Sequence, residues 1–147
     1  MVDFLVVPHT HWDREWYVPF EVFRLRLGTV VDEVLDVLEA DETFTSFTLD
    51  GQAVLLEDYA DIRPENVGRL SALLAAGRLE AGPWYVLPDE ILVGGESLLR
   101  NLLLGRAVCR RFGAEPADAG YEPDCFGHPA QLTQVLAGFG LRTFIFG

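Results

Sequence analysis

Short apolar runs alternate with helical patterns along this chain, and the alternation constrains its fold more than any other feature. Strand-like runs lie at 3–8, 43–49, 78–86, 117–123 and 142–146, and amphipathic helical patterns lie between them at 19–40, 52–60, 64–77, 96–112 and 129–139. Strands joined through helices are parallel, with right-handed crossovers. The sequence therefore predicts an α/β fold in which alternating βα units form a parallel sheet of about five strands, covered by helices.

Composition limits the number of domains and the kinds of partner. The 147 residues, half of them hydrophobic, suffice for one core, so residues 1–147 are expected to form a single domain. The net charge of −12 and the lack of a basic patch disfavour nucleic acid. There is no signal-like segment and no apolar stretch of roughly 20 residues, so no membrane partner is expected and the predicted compartment is the cytoplasm.

The last predicted strand is followed at once by Gly147, the final residue. A parallel strand is normally covered by a further helix, so we expect this chain to be a truncated part of a larger domain. An apolar strand edge around 144–146 also predicts self-association through edge pairing.

The sequence holds two cysteines, Cys109 and Cys125. Their spacing matches neither a CxxC motif nor a secreted disulfide framework, so both are expected to be reduced thiols. Cys125 is a candidate soft metal ligand, but it follows Asp124 directly and the alternation of side chains turns it away from that residue's face. Cysteine is also commonly a small buried hydrophobe.

The segment HTHWDREWY follows the first strand-like run and carries His9, His11 and Asp13 at every second position. In extended chain such residues point to the same side, so His11 and Asp13 can converge on one ion. A single His or Asp at a strand end more often caps a turn. Together with a further acid, however, these residues form the ligand set of a zinc-like divalent site.

That further acid is Asp124, in the segment YEPDCFGH after the fourth strand-like run. Carboxyl ends of parallel strands meet at one edge of a sheet, where sites form. Asp50 and the pair Asp89–Glu90 follow two other runs and are expected to face the same crevice, although both positions also suit ordinary turn residues.

The segments HTHWDREWY, LDGQ, GPWYVLPDE, GESLLRNLLLG and YEPDCFGHPAQL, in this order, resemble the N-terminal domain of glycoside hydrolase family 38, the retaining zinc-dependent α-mannosidases. The resemblance covers essentially the whole chain and is closest to the bacterial branch. It implies the N-terminal part of a seven-stranded type of β/α barrel, and an α-mannoside substrate hydrolysed in carbohydrate metabolism through a covalent mannosyl-enzyme intermediate.

Carried over to this sequence, the resemblance implies that His11, Asp13 and Asp124 bind one zinc ion and that Asp124 is also the catalytic nucleophile. It implies that Trp16 forms an aromatic platform under the mannose ring, where an indole face suits the C–H face of a sugar. His9 is expected to help orient the metal ligands without binding the ion itself.

The resemblance further implies that the acid/base, a fourth zinc ligand (a histidine) and an arginine lie downstream of residue 147. His128 is expected to make a structural hydrogen bond. We therefore expect the isolated chain not to turn over substrate. Two alternatives remain: a metal-dependent deacetylase-like hydrolase, in which the ion activates water, and an inactive truncated fragment.

Overall fold

The computed structural model describes residues 2–147, and its elements follow the predicted order. In this range the helices are α1 (Phe20–Ala40), α2 (Val54–Ile62), α3 (Val67–Ala75), α4 (Gly95–Arg111) and α5 (Leu132–Gly138), and the strands are β1 (Phe47–Thr48), β2 (Leu79–Glu80), β3 (Gly120–Glu122) and β4 (Phe144–Phe146). A short 3-10 turn, Pro64–Asn66, leads into α3. The predicted helices are confirmed, with small differences at their ends.

The longest helix, α1, forms because its apolar residues recur every three or four positions. The face that carries Leu27, Val31 and Leu35 is buried and packs against α2. A larger core cluster lies between α1, α2, α3 and the first strand pair. A smaller cluster around Trp84, Leu102 and Leu132 lies beneath α4 and α5.

All strand pairs in the described residues are parallel. β1 pairs with β2, with Phe47 opposite Leu79, and β3 pairs with β4, with Tyr121 opposite Ile145. Parallel pairs separated by helices confirm the predicted α/β class. Because the strands run in one direction, the loops that follow them lie at one end of the molecule.

The predicted continuous sheet of about five strands is not formed by residues 2–147, which contain two separate pairs instead. The interruption follows β2. Gly82 has a φ of 80° and Pro83 has no N–H to donate, so the backbone leaves the line of the ladder there. A single hydrogen bond from Ala117 N to Ala81 O, 3.1 Å long, spans the gap.

The strand predicted at 3–8 is also absent from the described structure. Its apolar side chains are largely exposed, and the backbone meets β1 only near its end, through a bridge between His9 and Thr48. A parallel strand needs hydrogen-bond partners along its length. β1 is two residues long, so it pairs with residues 8–10 and leaves the preceding segment unpaired.

Two surface features bear on partners. Ile145 and Phe146 of β4 are exposed, and self-association through this strand stays a prediction. Among residues 2–147, no helix combines the length and the apolar character required to cross a membrane.

A polar network joins α1 to α2. Asp32 accepts hydrogen bonds from Tyr59 Oη (2.7 Å), Arg63 Nε (2.9 Å) and Asn66 Nδ2 (3.1 Å). Burial alone raises the pKa of Asp32, but these hydrogen bonds and the Arg63 charge outweigh it, so the pKa is lowered. The carboxylate thus holds two helices together in its charged form.

Replacing Asp32 with asparagine is expected to lower the free energy of unfolding by about 2 kcal/mol at neutral pH, since hydrogen bonds to charged groups are lost. The folded pKa of Asp32 lies below the unfolded value. Its contribution is therefore present above the unfolded pKa and is lost as pH falls through the folded pKa. Urea unfolding at neutral and acidic pH measures this. Asp61→Asn, at an exposed acid, is the control. If the difference in unfolding free energy between wild type and Asp32→Asn is not smaller at acidic pH, the prediction is contradicted.

Candidate metal centre and active-site cleft

The loops that follow the strands enclose a cleft of about 540 Å³. Its wall includes His11, Asp13, Trp16, Asp89 and Asp124. These residues belong to three loops that are far apart in sequence and lie together because parallel strands end at the same edge.

One ligand atom from each of His11, Asp13 and Asp124 lies within 4.8 Å of the other two. The Nε2 atom of His11 is 3.6 Å from Asp13 Oδ1 and 3.8 Å from Asp124 Oδ2. In a tetrahedral zinc site, neighbouring nitrogen and oxygen ligands stand about 3.3–3.6 Å apart. The imidazole and the two carboxylates therefore fit a zinc-sized divalent ion after a small inward movement.

Asp50 lies next to His11 of this cluster and is placed to orient its ring. The side chain is fully buried, and its carboxylate accepts hydrogen bonds from Trp12 N, Gly51 N and Gln52 Nε2. Its Oδ2 atom lies 3.3 Å from His11 Nδ1. A carboxylate at one ring nitrogen leaves the other nitrogen free to face an ion, as is common behind metal-binding histidines.

The backbone and charge of Asp50 are unusual as well. Its φ is 63°, in the left-handed region that aspartate tolerates better than most residues. Burial raises the pKa of Asp50, while the three hydrogen bonds and the neighbouring His11 oppose that rise. Sequence reasoning placed Asp50 at the crevice but could not separate this role from that of a turn residue before Gly51.

Trp16 lies on the cleft wall, and 74% of it is exposed. Phe126, in the loop after β3, lines the same cleft and is similarly exposed. Large aromatic residues are usually buried. Here both line the cleft and remain largely exposed.

The two remaining histidines have separate partners. His9 Nδ1 lies 2.8 Å from the hydroxyl of Tyr121. His128 Nδ1 lies 2.8 Å from Glu90 Oε2, which confirms the predicted hydrogen bond of His128. Of the pair Asp89–Glu90, only Asp89 lines the cleft, whereas Glu90, in the turn that follows, is buried.

Glu122 is a cleft residue that sequence reasoning missed. It is 1% exposed, at the end of β3, and lines the cleft. Burial raises the pKa of Glu122 to about 9, and repulsion from Glu90, Asp50 and Asp89 adds to the rise. An acidic residue inside a predicted strand was the available signal, since such a position is normally apolar.

Comparison with known protein families gives one match over the whole chain. Residues 1–147 match the profile described as glycosyl hydrolases family 38 N-terminal domain.

Individual relatives are named for activity on mannose compounds. A protein of Halalkalibacterium halodurans named putative mannosylglycerate hydrolase is 44% identical over 97% of this chain. The human protein named alpha-mannosidase 2C1 is 27% identical over 93% of the chain. The chain spans 16% of the first protein and 13% of the second.

Solved structures agree with the sequence relatives. The crystal structure of an alpha-mannosidase from Enterococcus faecalis matches 96% of this chain with a TM-score of 0.92 and 44% sequence identity. This chain covers 16% of that protein. A second structure from the same species, described as a protein in the glycosyl hydrolase family 38, matches with a TM-score of 0.85 and 40% identity.

Proposed function

Because this chain belongs to glycoside hydrolase family 38, we propose that it is the N-terminal part of an α-mannosidase catalytic domain and supplies its nucleophile and most of a zinc site. The observation that carries the proposal is the convergence of His11, Asp13 and Asp124 on one point at the cleft. The two short strand pairs are proposed to belong to the larger β/α barrel, and the cytoplasm is the proposed compartment.

His11, Asp13 and Asp124 are the residues that would hold the zinc ion. Their donors, one imidazole and two carboxylates, belong to the set that zinc accepts, and Asp50 is placed to orient His11. A zinc ion bound there would keep the Asp124 carboxylate charged and would bind sugar hydroxyls. The fourth ligand, expected to be a histidine, is not assigned to this chain.

Asp124 is the proposed nucleophile. Its carboxylate attacks the anomeric carbon, so that an ester bond to the sugar forms while the bond to the leaving oxygen breaks. Water then cleaves the ester, and the configuration is retained. The leaving oxygen needs a proton from a second carboxyl group about 5 Å away from the first, and this acid is not assigned to residues 2–147.

Trp16 is the proposed sugar platform. It is exposed, lines the cleft that contains Asp124, and offers an indole face to the C–H side of a mannose ring. The proposed substrate class is α-mannosides, which includes mannosylglycerate, the compound in the name of the Halalkalibacterium relative. Membership of a glycoside hydrolase family favours this function over a deacetylase.

The test uses an α-mannosyl fluoride that carries a second fluorine on the sugar ring. Fluoride leaves without a proton donor, so the reagent needs the nucleophile but no acid, and the ring fluorine slows hydrolysis of the ester. We expect the zinc-loaded 147-residue chain to gain one fluoromannosyl group on Asp124, as located by peptide mass spectrometry.

Two variants make the labelling experiment decisive. Asp124→Asn should abolish the adduct, whereas Asp118→Asn, at an acid lining a different cavity, should label normally. Circular dichroism verifies that both fold. An adduct on another residue, or none on a chain shown by native mass spectrometry to hold zinc, would overturn the proposed nucleophile and favour the inactive fragment.

A further inference from the structure

A second cluster of metal-ligating side chains lies beside the first. One carboxylate oxygen of Glu90, the sulfur of Cys125 and one ring nitrogen of His128 lie within 4.8 Å of one another. Cys125 directly follows Asp124 in the loop after β3. Both residues line the cleft, and Cys125 also belongs to this second group.

The cluster contains a buried carboxylate with an unused oxygen. The Glu90 side chain is fully buried, and its Oε2 contacts His128 Nδ1, but its Oε1 has no hydrogen-bond partner among residues 2–147. Within the same described range, Oε1 of the buried Glu122 also has none. Buried carboxylate oxygens are normally paired with a donor or a cation, because leaving them bare costs free energy. The unpartnered oxygen of the buried Glu90 is therefore a candidate metal ligand.

The surrounding contacts hold the histidine in place. The His128 ring lies edge-on to Phe144 and Phe146, with both centroids 5.0 Å away, so β4 supports it from one side. The hydrogen bond to Glu90 orients the ring. Cys125 is partly exposed, and its thiol donates to Gly127 O over 3.3 Å, a weak contact that ligation can replace.

We propose that Glu90, Cys125 and His128 form a second divalent-metal site that takes a zinc-like, thiolate-accepting ion. The donor set of one thiolate, one imidazole and one carboxylate suits zinc, cobalt or cadmium and does not suit magnesium or calcium. Metal–sulfur and metal–nitrogen bonds require the ligand atoms to draw together by about 1 Å, which the partly exposed Cys125 side chain permits. Binding releases the thiol proton to solvent.

Such an ion would tie the loop of Asp124 to the segment of Glu90 and to β4. The site is structural in this arrangement, since the ion would join these segments and uses none of the residues of the first cluster. It does not depend on the proposed glycosidase function, which uses a different donor set without sulfur.

Cobalt titration of the 147-residue chain distinguishes the two sites, because a thiolate ligand produces a charge-transfer band in the near ultraviolet that imidazole and carboxylates do not. We expect wild type to bind two cobalt ions and to show this band. Cys125→Ser should bind one ion and lose the band. Asp13→Asn should keep the band, because Asp13 belongs to the other cluster.

Cys109→Ser is the matched control for the thiol. Cys109 is fully buried, its thiol contacts Ala81 O, and burial raises its pKa to about 11, so it is not expected to ligate. The band should therefore persist in Cys109→Ser. A wild-type chain that binds a single ion without the band, or a band that survives in Cys125→Ser, would overturn the second site. Circular dichroism of each variant verifies folding.

Discussion

Replacing Asp124 with alanine is expected to weaken zinc binding at the cleft by at least about 100-fold. Loss of residues that only orient a ligand typically weakens metal binding about 10–100-fold, and here one of three converging donors is removed together with its charge. Isothermal titration with zinc measures the change. It is performed in a Cys125→Ser background, so that the cleft ligands alone are titrated.

The control for this titration is Asp118→Ala. Asp118 is an exposed acid that lines a different cavity, so its loss changes the net charge equally but removes no candidate ligand. Zinc affinity should stay close to that of the background chain. Equal affinities of the Asp124 variant and the background chain would show that His11, Asp13 and Asp124 do not share an ion.

Replacing Gly105 with alanine is expected to lower the free energy of unfolding by about 3 kcal/mol or more, the upper range for inserting atoms into a packed interior. A Cβ at this position would lie 2.3 Å from Pro83 O and Trp84 C and 2.4 Å from Tyr85 N, all backbone atoms that cannot rotate away. Urea unfolding followed by circular dichroism measures the loss.

Gly68→Ala is the matched control, since it also adds one methyl group to a helix glycine. Apart from the adjoining backbone of its own helix, no atom of residues 2–147 lies within 4 Å of the added Cβ, and α3 should gain about 0.5–1 kcal/mol from the better helix former. If Gly105→Ala were as stable as wild type, the close approach of α4 to residues 83–85 would not exist.

The contact at Gly105 also positions the cleft. One turn earlier on the same face of α4, the Asn101 side chain accepts hydrogen bonds from Tyr85 N and Val86 N and donates to Val86 O. The segment held in this way leads directly to Asp89 and Glu90. Glycine lets α4 approach, and asparagine satisfies the backbone groups that have no strand partner there.

Helices were predicted more accurately than strands, for a physical reason. Hydrogen bonds within a helix are local, so the apolar spacing of α1 and α4 was enough to place them. Strands need partners from distant sequence. The run at 3–8 has strand-like composition, but only its last residues meet β1. The run at 78–86 pairs over Leu79–Glu80, is interrupted at Gly82, and pairs again only through a bridge between Trp84 and Gln52.

The sequence by itself determined the α/β class, the helices, the family resemblance and the identity of His11, Asp13 and Asp124 as candidate ligands. The residues of each motif are close together in sequence, and the alternation of side chains along an extended segment assigns each of them to one face. Only the tertiary structure decided which acids play which part. It buried Asp50 next to His11, brought Glu90 together with His128 and Cys125, and placed Glu122 in the lining of the cleft. Those roles depend on contacts between residues that are distant in sequence. Burial and neighbouring charge determine what each carboxyl group can do, and no local sequence pattern records them.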